Sequence, residues 1–194
     1  SDGELYYGTQ KTLSAYLNGG VKHHLVGCLF SQTADVAVGN TTTEASIVGT
    51  GIGTITLPAN FLVAGKTILI RAWGTVGDAA NATSARVNAK VKLGSTTLAA
   101  SGSSGAFLSA TSLGIWELEF ALTCRSVGVS GSVRGCGRVL WNISTSAAAI
   151  DRLIAALSTI DTTAAQTIDL SATWTVAAAG NTLTCTNLTV EVLN

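Results

Sequence analysis

Charge is what this chain has least of. Only 11% of its 194 residues are Asp, Glu, Lys or Arg, against about 25% in an ordinary soluble domain. Eleven basic and eleven acidic side chains cancel. Nucleic-acid backbones demand clustered Lys and Arg, and the nearest cluster, Arg125, Arg134 and Arg138, is too small; no nucleic-acid partner is expected. No apolar run approaches the ~20 residues needed to cross a bilayer, so membrane insertion is not expected either. Ser1 to Tyr7 is acidic and polar, the wrong flank for an export signal. The four cysteines, Cys28, Cys124, Cys136 and Cys185, show no C-x-x-C spacing, which argues against zinc. The two histidines, His23 and His24, are adjacent. An extended chain throws them to opposite sides, so they make a linker rather than a metal pair. No metal and no cofactor is expected.

Hydroxyls take the place of the missing ions. Ser and Thr together number 45, so the exterior carries mainly hydroxyl and amide groups. Such a surface repels its own kind weakly, and a net charge of zero adds no colloidal protection. It stays soluble most easily when copies of itself or neighbouring proteins cover it. The length suits one domain, which buries roughly 70% of its unfolded surface.

Residues 1–24 differ from the rest. They hold Tyr6, Tyr7 and Tyr16 and the breaker Asn18-Gly19-Gly20, and they read as an arm or stem that docks on a neighbour. From Leu25 to Asn194 a period of two dominates. Val87, Ala89, Val91 and Leu93 alternate with Arg86, Asn88, Lys90 and Lys92; Ile168, Leu170, Ala172, Trp174 and Val176 alternate with Thr and other polar residues. Trp116, Leu118, Phe120, Leu122 and Cys124 point one way, Glu117, Glu119 and Thr123 the other. Further strands are expected at residues 25–30, 45–48, 53–57, 67–74, 96–100, 133–143 and 183–192. About eight to ten half-buried strands joined by Gly- and Ser-rich turns imply an all-β fold, an antiparallel β-sandwich, with a jelly-roll the favoured winding at this size. Between the strands at 53–57 and 67–74, Pro58, the only proline, should end one strand, Gly65 should turn the chain, and Phe61 and Leu62 should cap the core. Residues 147–158 fit two readings. Ile150, Leu153, Ile154 and Leu157 have helical spacing, while the surrounding Ser and Thr suit a strand or loop.

Candidates for chemistry are sparse. Glu117 and Glu119 lie roughly 7 Å apart on one strand face, which superficially suits paired-carboxylate hydrolysis, but they share an outward face with Thr123 and Arg125. Gly49 to Gly53 lacks the Lys-Ser/Thr of a phosphate loop and reads as a turn. Asp78, Asn81 and Thr83 offer oxygen donors to calcium with too little charge. Strict alternation puts Cys124 and Cys136 on opposite faces, so the cysteines are expected as buried or semi-buried free thiols. Trp116, Trp141 and Trp174 share the apolar faces of their strands and read as core. Trp73 alternates with Thr67, Leu69 and Arg71 instead, and is the tryptophan expected to be exposed for a contact. An enzyme is not expected.

Three segments carry a family resemblance: Thr56-Leu-Pro-Ala-Asn-Phe-Leu-Val-Ala-Gly-Lys-Thr-Ile68, Val91-Lys-Leu-Gly-Ser-Thr-Thr-Leu98 and Thr167-Ile-Asp-Leu-Ser-Ala-Thr-Trp174. Their order, with a Trp-starting strand between the second and third, resembles jelly-roll minor structural proteins of tailed bacteriophages, of the capsid-decoration, head-fibre or tail-fibre kind. The resemblance covers roughly residues 45–194. It implies a non-enzymatic virion protein assembled in the host cytoplasm, a homotrimer that contacts other capsid or tail proteins, with residues 1–24 attaching it to the particle. The alternative it leaves is a receptor- or carbohydrate-binding module at a fibre tip. That module would meet a host surface glycan through loops at residues 74–84 or 101–111.

Overall fold

The computed structural model describes residues 16–18, 21–23, 27–77, 85–102, 114–142 and 149–194. Every helix or strand among them is a strand. The first two, β1 (Tyr16–Asn18) and β2 (Val21–His23), pair with one another, Tyr16 opposite His23. Five strands of two to six residues follow: β3 (Gly27–Gln32), β4 (Val36–Gly39), β5 (Ala45–Ser46), β6 (Gly51–Gly53) and β7 (Thr56–Leu57). Then come β8 (Thr67–Gly77), the hairpin of β9 (Val87–Leu93) and β10 (Thr96–Ala100), and the long β11 (Gly114–Ser126) and β12 (Gly131–Asn142). The remainder are β13 (Ala149–Ile154), β14 (Ser158–Ile160), β15 (Gln166–Trp174) and β16 (Thr182–Val192). Nine of the sixteen have five or more residues; those are the strands whose alternation is long enough to read.

Apart from the β1–β2 pair, the strands make two antiparallel sheets. The larger runs β13-β12-β11-β8-β16-β3-β6, with β14 also on β12 and β4 also on β16; the smaller runs β10-β9-β15-β5, with β7 also on β15. They face each other across one apolar cluster. The larger sheet contributes Ile68, Ile70, Trp116, Phe120 and Val190; the smaller contributes Val87, Val91, Leu170 and Trp174. This is the β-sandwich that the alternation implies, with one face of each sheet inside.

Trp116, Trp141 and Trp174 are all 1% exposed or less. Each indole N–H must then find an acceptor inside. Trp116 donates to the Thr184 carbonyl and Trp174 to the Val38 carbonyl, both at 3.0 Å, and Trp141 donates to the Asp151 carboxylate at 2.7 Å. Trp116 and Trp141 sit directly opposite on β11 and β12, with ring centroids 6.3 Å apart. Burying each ring contributes roughly 4–6 kcal/mol of transfer free energy as an upper limit.

Three local expectations change. Residues 53–57 are two strands, not one. β6 lies on β3 in the larger sheet and β7 on β15 in the smaller, so the chain changes layers between them. Residues 49–53 are not simply a turn, because Gly51–Gly53 forms ladder pairs with residues 30–32 of β3. A Cβ on Gly51 would collide with the Ser31 carbonyl oxygen and lie 2.6 Å from the Phe30 ring. Glycine there lets the backbone come close to Phe30. Residues 147–158 hold no helix among those described: they form β13 and β14 on β12. A helix would bury Ile150, Leu153, Ile154 and Leu157 together, yet only Leu153 is buried while the others are 61%, 68% and 62% exposed. Leu153 and Ala155 point inward with strand period, and the edge of β12 supplies backbone partners that a lone helical turn lacks.

The hinge after β7 behaves as its residues dictate. The strand stops at Leu57, Phe61 N donates back to the Pro58 carbonyl at 3.1 Å, and Gly65 takes a φ of 88°. Leu62 is buried and Phe61 packs against the core edge.

Candidate functional site

The outward face of the larger sheet is chemically unlike the rest of the exterior. Strand period places Ile68, Ile70 and Ala72 of β8 inside and turns Leu69, Arg71 and Trp73 to the other face, where Arg71 and Trp73 are exposed and Leu69 is covered. The ladder registers then fix the rows that cross the face. One row reads Asn187, Trp73, Glu117, Leu140, Ile150; the next reads Thr189, Arg71, Glu119, Arg138, Arg152; the third reads Glu191, Leu69, Ala121, Cys136, Ile154. A charged row thus lies between two rows rich in apolar groups. Trp73 is 41% exposed, in contrast to the three core tryptophans.

Arg71 holds two carboxylates, Glu119 at 3.2 Å and Glu191 at 3.9 Å. Such half-exposed pairs contribute about 1 kcal/mol or less. Glu117, Arg138 and Arg152 enter no salt bridge among the described residues. Arg138 stands directly opposite Arg152 across the β12–β13 ladder, an arrangement of like charges that costs stability unless something anionic lies between them. Two shallow hollows flank Arg138. One, of about 510 Å³, is lined by Arg71, Trp73, Glu117, Glu119, Arg138, Leu140 and Ile150 among others; the second, of about 420 Å³, by Glu119, Cys136, Arg138, Arg152 and Ile154 among others.

Every cation in those three rows is arginine. The lysines of the two sheets lie elsewhere: Lys90 and Lys92 project from the outer side of the smaller sheet, and Lys66, just before β8, is buried over the Phe61 ring at 4.1 Å. Desolvation lowers the Lys66 pKa. On the smaller sheet Glu44 accepts from Lys90, from Lys92 at 3.0 Å and from Ser171 at 2.8 Å. These donors hold its carboxyl at about 2. The charges of that outer side are paired around Glu44, whereas the larger sheet carries Glu117, Arg138 and Arg152 without a salt bridge among the described residues, beside apolar side chains.

Glu119 is committed to Arg71, and Glu117 sits between Trp73 and Leu140. No group of three His, Cys, Asp or Glu side chains that could hold a metal occurs among the described residues. Cys124 points inward opposite Val133 and Cys136 outward opposite Ala121, so they do not bridge. All four cysteines are free. Cys28 and Cys136 are exposed, which corrects the expectation of burial for those two. Tyr16 lies in β1. Tyr6, Tyr7, His24, Asp78, Asn81 and Thr83 fall outside the described residues, as do residues 78–84 and 103–111 of the candidate binding loops.

The three segments of the family resemblance meet in space. β15 pairs with β7 on one side and β9 on the other, and Gly94 N donates to the Thr167 carbonyl at 2.7 Å. They supply β7, the last residues of β9 and most of β10 and β15 in the smaller sheet, and the first segment runs on into β8 of the larger one. Arg138 had the right parity in sequence to be read onto the outer face; Ile150 and Arg152 did not, because their segment had two periodicities. No protein-family model, no curated protein and no solved structure matches the chain.

Proposed function

We propose that this protein is a non-enzymatic structural subunit of a bacteriophage virion, a homo-oligomeric capsid-decoration or fibre protein. In this reading residues 1–24 attach it to the particle, its sandwich is wound as a jelly roll, and its partners are copies of itself and other virion proteins. The trimer is the state that the resemblance implies. The observation that carries the reading is the outer face of the larger sheet, where Trp73, Ile150 and Ile154 stand exposed among arginines and without lysine. Buried protein interfaces are enriched in Trp and Arg and depleted in Lys. A chain so poor in ions has little else to keep such a face apart from its neighbours. Sedimentation of the full chain at micromolar concentration tests the reading: an oligomer is expected, and a stable monomer overturns it.

One observation favours a second reading. Trp73 flanks a hollow that also holds the Glu117 carboxylate, and an aromatic ring beside a hydrogen-bonding group suits the apolar face and hydroxyls of a sugar. Glycan-array binding that vanishes in Trp73→Ala would support a host-glycan module, and a blank array at high protein concentration removes that option.

A further inference from the structure

We infer that the outer face of the larger sheet packs against the same face of a second copy of this chain, related by a two-fold axis. The inference builds on the assembling subunit proposed above and names its contact surface. A two-fold contact needs a patch that is its own complement, and this face carries charge of both signs that the described residues leave uncompensated. Among the described residues Glu117 brings a carboxylate outside any salt bridge, while Arg138 and Arg152 bring two such guanidiniums placed opposite each other. A partner bearing one sign of charge would leave one of these sets stranded. A second copy supplies both, and a carboxylate set between two guanidiniums makes the strong, charge-assisted kind of hydrogen bond.

Size and shape agree. Six strands, β13 to β3 in sheet order, at ~4.8 Å spacing make a face roughly 29 Å wide. β8 and β16 each run eleven residues, about 37 Å at ~3.4 Å per residue. The face therefore offers on the order of 1,000 Å², above the ~800 Å² per partner of a standard interface. Ile150 and Ile154 rise on either side of Arg152, so apolar rows would shield the charged row from water once two faces meet. Closed in this way, a pair uses none of the three-fold contacts that a trimer needs. If both kinds of contact are made, the assembly has six copies.

The test is sedimentation of the full chain and of four variants, with Trp73 as the optical reporter. Wild type is expected as a dimer or a hexamer, and acrylamide quenching of its exposed tryptophan should fall as concentration rises. Arg138→Glu and Glu117→Arg should each weaken the pairing by about tenfold or more, and the double variant carrying both should recover most of the loss. Ile154→Glu, at a position 68% exposed and so harmless to folding, should weaken it as well. Circular dichroism at the lowest concentration checks that each subunit is folded. A bare trimer, an oligomer indifferent to all four variants, or a double variant without recovery overturns face-to-face pairing and leaves assembly through another surface standing. A wild-type monomer overturns both.

Discussion

Asp151→Ala should loosen an edge of the sandwich by removing a single acceptor. Trp141 is fully buried, and the only polar atom of its side chain donates to Asp151 at 2.7 Å. Asp151 lies on β13 opposite Val139, so this bond ties the edge strand to the indole two residues further along β12. Alanine leaves the buried N–H without a partner. A hydrogen bond to a charged group contributes about 1.5–3 kcal/mol, and a loss of about 2 kcal/mol lowers Tm by about 4–8 °C in a chain of this size. With a urea m-value of about 2 kcal/mol/M, the midpoint moves down by about 1 M. Asp151→Asn keeps a carbonyl oxygen within the same reach and should cost less than about 1 kcal/mol. Urea titration followed by tryptophan fluorescence reads both variants, and hydrogen exchange should show faster opening of residues 149–154 in the alanine variant. If the alanine variant melts within about 0.5 kcal/mol of wild type, or the asparagine variant is equally damaged, the buried acceptor is not what holds β13.

Gly137→Ala is expected to be costly although Gly137 lies in a regular strand. Its Cβ would collide with the Glu119 carbonyl oxygen and lie 2.7 Å from the Phe120 Cα, so β11 must shift, at about 1–3 kcal/mol; a thermal melt matching wild type would refute the close approach. Glu44→Gln should remove a pH-dependent contribution. The Glu44 carboxyl is held at about 2, below its ordinary 4.5, so its stabilisation is full above about 4.5 and fades as pH falls towards 2. Its lysine partners are a quarter exposed, which keeps the effect near 1 kcal/mol, and the melting gap between wild type and variant should close on acidification; a constant gap contradicts this. Burial pushes the Cys185 thiol up to about 12 and raises that of Cys124, while Cys28 and Cys136 are exposed. Alkylation near pH 8 of the native protein, diluted until its copies are separate and read by mass spectrometry, should therefore modify two thiols quickly and the other two only after denaturation.

What could be read in advance follows from how the signal is carried. A strand such as β11 spans thirteen residues, and each inward side chain repeats the evidence of the last, so the parity of Trp116 to Cys124 and of Glu117 and Glu119 was legible. The same parity separated Trp73 from the buried tryptophans. Two-residue elements such as β5 and β7 have no period to read. β13 misleads for another reason: Ile150, Ile154 and Leu157 are apolar without being buried, so their spacing imitates a helix face. The charged row was the least legible part of the site. Arg71, Glu119, Arg138 and Arg152 come from four strands, and only the order of the strands in the sheet brings them side by side.

β16 has a consequence for how this molecule comes into being. It lies between β8 and β3 and also holds β4, so β4 and one edge each of β3 and β8 wait for residues 182–192 before their backbone groups find partners. A ribosome adding about 5–20 residues each second leaves those edges open for several seconds, with β4 and its Val38 lacking any ladder partner. Completion of the larger sheet is therefore slow, as expected for pairings distant along the chain. Nascent copies crowded on one message would face their greatest risk of clumping just before that strand emerges.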